Sequence, residues 1–237
     1  MNILFVLHES FESPGAILAW ANQHQHRVTL IRTYLGDAVP QSAAGVDFLV
    51  IMGGPQSPAT TKDECAHFDA EAEIALIKSA IEHKCLILGV CLGAQLLAEA
   101  YGAAFEHSPH KEIGVFPITL TEAAKSDPIF SQFPHTFLMG HWHGDMPGVP
   151  QGAEILATSE GCPRQIIRFD HNVYGFQCHF EFTPQVIEDM IEHSEAELAA
   201  ADQNPYIQNA ETLRQHDYAE INEKLFLFLD DIANQVN

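Results

Sequence analysis

A doubly wound α/β fold, with a mostly parallel central sheet, helices on both faces and a small antiparallel extension, is predicted by three features of the sequence. Short apolar runs alternate with helix-spaced stretches from Asn2 to about Tyr101, the rhythm of parallel strands joined by crossover helices. The chain changes character abruptly at Cys91, from a bulky uncharged run to a helical pattern. Beyond Tyr101-Gly102 the segments become short, strand-like and separated by Pro and Gly, which suits antiparallel strands or an edge extension of the main sheet.

Asn2 to Leu7 reads as the first strand, followed by the loop Ser13-Pro14-Gly15 and a helix to about Gln23. Arg27 to Arg32 supplies a second strand and Val46 to Ile51 a third, which ends in Met52-Gly53-Gly54-Pro55-Gln56-Ser57-Pro58. A glycine pair followed by proline is a stiff loop with exposed amides, and taken alone it is equally an ordinary turn. From about His67 to His83, Phe68, Ala72, Ile74, Ala75, Ile77 and Ile81 recur at helical spacing between acidic residues, an amphipathic helix leading into a strand at Leu86 to Val90. Short strands follow at Ile113 to Leu120, Thr136 to Gly140, Glu154 to Ser159, Gln165 to Phe169 and Val173 to Cys178. Thr183-Pro184 fits an N-cap with proline at the first helical position, opening an acidic helix towards Ala200. A last helix is expected over about Ala210 to Val236, with Leu213, Tyr218, Ile221, Leu225, Phe226, Leu229 and Ile232 on one side.

With 237 residues, 46% hydrophobic composition and no linker-like stretch, the chain is expected to form one domain over residues 1–237. Eleven Lys and Arg against 32 Asp and Glu give a net charge of −21. That charge repels phosphate backbones and anionic headgroups, so neither nucleic acid nor a membrane surface is an expected partner. The five cysteines are odd in number and lack Cys-x-x-Cys spacing, which argues for a reducing compartment over a disulfide framework. Met1 to Leu7 has no basic start or small-residue cleavage site, and no apolar run approaches the ~20 residues that span a bilayer. A cytoplasmic location is expected.

Cys91 sits on the turn between the Leu86–Val90 strand and the helix that follows, flanked by Gly89 and Gly93 at two-residue spacing. Small residues there let a strand reverse sharply into a helix and hold the central side chain exposed, the construction of a nucleophile elbow with sulfur in place of a hydroxyl. The helix start adds free amides and a positive dipole end that favour negative charge on the sulfur or on a developing oxyanion. A lone Gly-x-Cys-x-Gly is equally a small buried hydrophobe between packing glycines. The second stretch, Tyr174 to Glu181, ends a strand with His179 and Glu181 two positions apart, on one face of an extended chain. A glutamate so placed orients an imidazole towards a nucleophile.

Four stretches together resemble the class I, triad family of glutamine amidotransferases, in particular stand-alone proteins related to the amidotransferase domain of GMP synthase. They are Gly53-Gly54-Pro55-Gln56-Ser57, Gly89 to Gln95, His141-Trp142-His143-Gly144-Asp145 and Gly175 to Glu181. The resemblance runs in matching order from Asn2 to about Ala200, and it implies a flavodoxin-like sheet. It further implies that Cys91 attacks a γ-glutamyl amide, with His179 as base and then acid and Glu181 orienting it. The amides of Gly54 and Leu92 would hold the oxyanion, with Gly53 shaping the loop. Gln95, His143 and Asp145 would bind substrate, Asp145 by pairing with the substrate's α-amino group. Phe180 stands where many members carry proline, and neither a synthetase half nor a Ser-Gly-Gly pyrophosphatase loop is present.

The resemblance therefore implies release of glutamate and ammonia from glutamine without a cofactor. Its alternatives are hydrolysis of γ-glutamyl peptides, or a subunit inert until a synthetase partner accepts its ammonia. His141 and His143 suggest a metal pair, but no third ligand cluster accompanies them in sequence, so no metal site is expected. If His179 titrates near its ordinary value, activity should fall below about pH 6.

Overall fold

The computed structural model describes residues 1–234. Strands β1 (Asn2–Leu7), β2 (Arg27–Arg32), β3 (Phe48–Ile51), β4 (Leu86–Val90), β5 (Glu106–Leu120), β6 (Thr136–Met146), β7 (Glu154–Thr158), β8 (Ile166–Asp170) and β9 (Val173–Phe176) form one sheet in the order β2-β1-β3-β4-β9-β8-β7-β5-β6. The pairs from β2 to β9 are parallel and those from β9 to β6 antiparallel. The sheet is thus mixed.

The antiparallel part is larger than expected, because β5 and β6 run for 15 and 11 residues where shorter pieces were read. Prolines fragmented the pattern without breaking the strands. Pro109 falls in the irregularity between His107 and Glu112, and Pro117 lies where β7 has not yet joined β5, positions at which a missing amide costs no ladder hydrogen bond. The extra length of β6 turns the His141–Asp145 segment into strand. In turn β9 stops at Phe176, so His179 and Glu181 lie beyond it, in the loop that follows.

Alternate residues of β1 enter two separate cores, as the period of a strand requires. Ile3, Phe5 and Leu7 pack with Ile17 and Trp20 of α1 (Gly15–Gln23) and with Leu225, Phe228 and Leu229 of α7 (Ala219–Asn234). Leu4 and Val6 face Leu76 and Ile77 of α2 (Ala70–Glu82) and Leu96 and Leu97 of α3 (Leu92–Ala100). The apolar side of the last helix therefore belongs to the protein's own core.

Helix ends follow their capping residues. Asp69 accepts from Ala72 N at 3.1 Å to start α2, three residues later than expected. Thr183 accepts from Val186 N at 3.3 Å to start α4 (Pro184–His193) with Pro184 in its first turn. That helix stops at His193, short of the expected Ala200, and a separate turn, α5 (Glu195–Leu198), follows Ser194. The expected single helix from Ala210 is two, α6 (Ala210–Gln215) and α7, broken where Asp217 accepts from Ala219 N and Tyr218 turns its hydroxyl back to Leu213 O. Its expected last turn, to Val236, extends outside the described residues. The five cysteines are free thiols, and no helix among the described residues is long and apolar enough to cross a membrane.

Candidate active site

Strand β4 delivers Cys91 to the sheet edge in a backbone conformation of φ 51° and ψ −108°, which a side-chain-bearing residue adopts only under constraint. Gly89 and Gly93 supply the constraint. A side chain on Gly89 would collide with the Gly93 carbonyl, and one on Gly93 with the Ile51 carbonyl. The elbow closes only because both positions lack a Cβ. Leu92 opens α3, so its amide has no acceptor within the helix.

His179 Nδ1 lies 2.7 Å from Glu181 Oε1, and both side chains are buried. The two are brought together by a loop held at several points, since an extended strand does not reach them. His179 N donates to Gly140 O of β6 at 2.8 Å, and its ring stacks on Phe182 at 4.3 Å. From α7, Asn222 donates to the carbonyls of Phe180 and Phe182, at 2.8 and 2.9 Å, on either side of Glu181. The last helix, which carries no motif in sequence, thus clamps the His179–Glu181 loop.

Burial alone would lower the His179 pKa, but the Glu181 carboxylate and the neighbouring Cys91 outweigh it and raise it well above the ordinary histidine value. The expectation of a loss of activity below about pH 6 assumed an ordinary pKa for this group, which the site raises. The imidazole Nε2 has no hydrogen-bond partner among the described residues, and Cys91 is among the groups acting on the ring.

The glycine loop after β3 is anchored from below. His8, at the end of β1, places Nδ1 2.8 Å from Gly53 O and Nε2 2.9 Å from Glu73 Oε2 of α2. Both His8 and Glu73 are fully buried. Desolvation disfavours the His8 cation, yet Glu73 and the Gly53 carbonyl overcome it and its pKa is raised. Gly54 packs against His8 and Leu92, so the two amides expected to hold an oxyanion belong to adjoining residues.

A cavity of about 400 Å³ opens over Cys91, bordered by Gly54, Gln95, His143, Asp145 and Glu12. Gly53, Leu92, His179 and Glu181 are not among the residues that line it. Asp145 Oδ1 is 2.6 Å from the exposed His107 Nδ1. Gln95 donates to Gln177 Oε1 at 3.2 Å and leaves its own Oε1 unpartnered. His143 borders the cavity, but its Nε2 is turned towards Gln165 and Glu112.

Two residues of the site escaped sequence reading. Gln177 Nε2 donates to Cys91 Sγ at 3.3 Å from a fully buried position; it lies inside a quoted stretch, but its side chain acts across the β4–β9 pairing. Glu12 follows β1 in an irregular loop, and its Oε2 fills the space a side chain on Gly53 would take, close to Cys91. Burial, opposed by His179 and His8 and reinforced by Glu181, pushes the Glu12 carboxyl up to about 7.

The expectation that no third ligand accompanies His141 and His143 is also corrected. Glu112 of β5 pairs directly with His143 of β6, and the three side chains converge in the interior. Burial drives His141 down to about 3 and lowers His143, while the two imidazoles and Ser159 hold Glu112 below the ordinary carboxylate value against desolvation.

Residues 16–196 match the family described as Glutamine amidotransferase class-I. A glutamine amidotransferase-like protein of Salmonella typhimurium, YfeJ, is 49% identical over 98% of both chains. One of the subunits of a glutamine-hydrolysing GMP synthase from Methanocaldococcus jannaschii is 30% identical over 70% of this chain and 86% of its own length. The crystal structure of SMU.1228c superimposes with a TM-score of 0.96 at 48% identity, covering 98% of this chain and all of that one.

Proposed function

The chain belongs to the class I glutamine amidotransferase family, and from that premise we propose that it hydrolyses a γ-glutamyl amide, glutamine first, through a thioester on Cys91. The observation that carries the proposal is the convergence of an elbow cysteine with a buried histidine–glutamate pair at 2.7 Å. The Cys91 sulfur attacks the γ-carboxamide carbon, and the developing oxyanion is met by the amides of Gly54 and Leu92. His179 takes the thiol proton as the sulfur attacks and then gives it to the departing nitrogen. The C–N bond breaks, and ammonia leaves a γ-glutamyl thioester. Water then attacks that carbon while His179 takes its proton. The C–S bond breaks, and glutamate and the thiol are released. Glu181 holds His179 in the tautomer that faces the sulfur, and Gln177 donates to the sulfur while it carries charge. Gln95 and Asp145 border the space the glutamyl group would fill.

One observation favours a second reading. A cavity of about 400 Å³ falls within the range of sites that take drug-sized ligands and leaves room beyond a carboxamide, which a γ-glutamyl peptide would use. The two readings share every residue up to the leaving group. Glutamine and a panel of γ-glutamyl peptides, compared by kcat/KM with the purified chain, separate them. Glutamine should lead. A peptide favoured by more than about tenfold, roughly 1.4 kcal/mol, would replace the amidotransferase reading with that of a γ-glutamyl peptide hydrolase. With the apolar face of α7 buried in the core, we expect turnover without a synthetase partner. Glutamate release only upon addition of such a partner would contradict that expectation.

A further inference from the structure

We propose that Glu112, His141 and His143 form a binding site for a divalent transition ion of the zinc type. The site is built by strand register. In the antiparallel β5–β6 pair, Glu112 lies opposite His143 and Gly114 opposite His141, so the two imidazoles, two residues apart on β6, share a face with the carboxylate across from them. All three side chains are buried.

The distances are those of ligands around an ion. His141 Nδ1 to His143 Nε2 is 3.5 Å, His141 Nδ1 to Glu112 Oε2 is 3.6 Å and His143 Nε2 to Glu112 Oε2 is 3.4 Å. Those two contacts to the carboxylate are too long for good hydrogen bonds. The triangle they form with the imidazole contact nevertheless has a centre about 2 Å from each atom, the length of a zinc–imidazole or zinc–carboxylate bond.

The hydrogen-bond roles point the same way. Gln165 Nε2 approaches Glu112 Oε2 at 2.7 Å and Ser159 Oγ at 2.9 Å, closer than His143 Nε2 at 3.2 Å, so its two hydrogens are taken up without the imidazole and the His143 Nε2 lone pair is left for an ion. The carboxylate is aimed from outside: Ser159 Oγ donates to it at 2.8 Å, Gln165 Nε2 at 2.7 Å and Gly161 N at 3.2 Å. Such outer contacts are what hold a ligating carboxylate in place. The two imidazoles and the carboxylate are three donors, and water would complete a tetrahedral set. Because His143 also borders the Cys91 cavity, a bound ion would fix one wall of that cavity without taking part in the chemistry.

The test uses the whole chain, stripped with a chelator and then titrated with Zn²⁺ or Co²⁺. One zinc per chain is expected after desalting. The cobalt protein should show the strong visible absorption of a four-coordinate site with imidazole and oxygen donors, unchanged in Cys91→Ala and in the exposed-surface control His135→Ala. His141→Asn and Glu112→Gln should each weaken zinc binding at least tenfold, and zinc should raise the melting temperature of the wild type but not of these variants. Less than stoichiometric zinc, a weak spectrum of hydrated cobalt, or a sulfur-to-cobalt charge-transfer band in the wild type would each overturn the proposal, whether or not the variants fold.

Discussion

His8 and Glu73, 65 positions apart in sequence, meet 2.9 Å apart in the interior with both side chains fully buried. The second nitrogen of the same imidazole reaches the Gly53 carbonyl at 2.8 Å, so a buried ion pair sets the height of the glycine loop against the elbow. Removing one member of a buried pair strands the other charge, at a cost of about 3–5 kcal/mol. Glu73→Gln should therefore lower the unfolding free energy by a few kcal/mol in denaturant titration and depress kcat more than KM. A stable variant with unchanged kcat would show that the pair does not position the loop. Because the His8 pKa is raised in the folded state, the stabilisation it brings is full below its unfolded value and fades as pH rises through the folded one. The difference between wild type and Glu73→Gln should narrow on the alkaline side.

Gln177 donates to the Cys91 sulfur at 3.3 Å and is itself met by Gln95. A hydrogen bond to a charged group contributes about 1.5–3 kcal/mol. Gln177→Leu, which keeps the volume and removes the donor, should lower kcat/KM by about tenfold to a hundredfold. Gln177→Glu should be worse, since it sets a carboxylate against the sulfur. Steady-state kinetics on folded variants, checked by circular dichroism, decides; unchanged kcat/KM in the leucine variant would remove Gln177 from the site.

Glu12 is pushed up to about 7, so near neutrality it changes from a neutral carboxyl to an anion beside the glycine loop. An anion there opposes the oxyanion that forms in the transition state. kcat/KM should fall as pH rises through about 7, and Glu12→Gln should abolish that fall. The same raised pKa favours folding below the unfolded value and withdraws that contribution as pH rises through about 7. Glu12→Gln should consequently melt higher than wild type at pH 8 and gain less at pH 5. An inflection near pH 7 that persists in the variant would assign it to another group.

The parallel half of the fold was legible because its central strands are buried on both faces and read as apolar runs; the bounds of β1 and β4 coincide with those runs, and those of the half-exposed edge strand β2 were also read correctly. The antiparallel half was blurred by Pro109 and Pro117, which β5 accommodates at a bulge and, opposite Leu138 of β6, where β7 has not yet joined its other edge. Cys91, His179 and Glu181 could be found because each sits in a short local pattern. His8, Glu12, Glu73, Glu112 and Asn222 could not, because what gives them a part is contact made across the sheet, between residues that no spacing relates. The His-x-Glu spacing pointed to the right pair for an incomplete reason: β9 ends before it, and Gly140, Phe182 and Asn222 hold the loop instead.

The central claim is a covalent γ-glutamyl intermediate on Cys91, and acid quenching during steady-state turnover of glutamine tests it most directly. Intact-mass measurement of the quenched protein should show one added γ-glutamyl group, peptide mapping should locate it on Cys91, and hydroxylamine should remove it as it does a thioester. Cys91→Ala should show neither the adduct nor glutamate release. An adduct on another residue, or undiminished turnover in Cys91→Ala, would contradict the account.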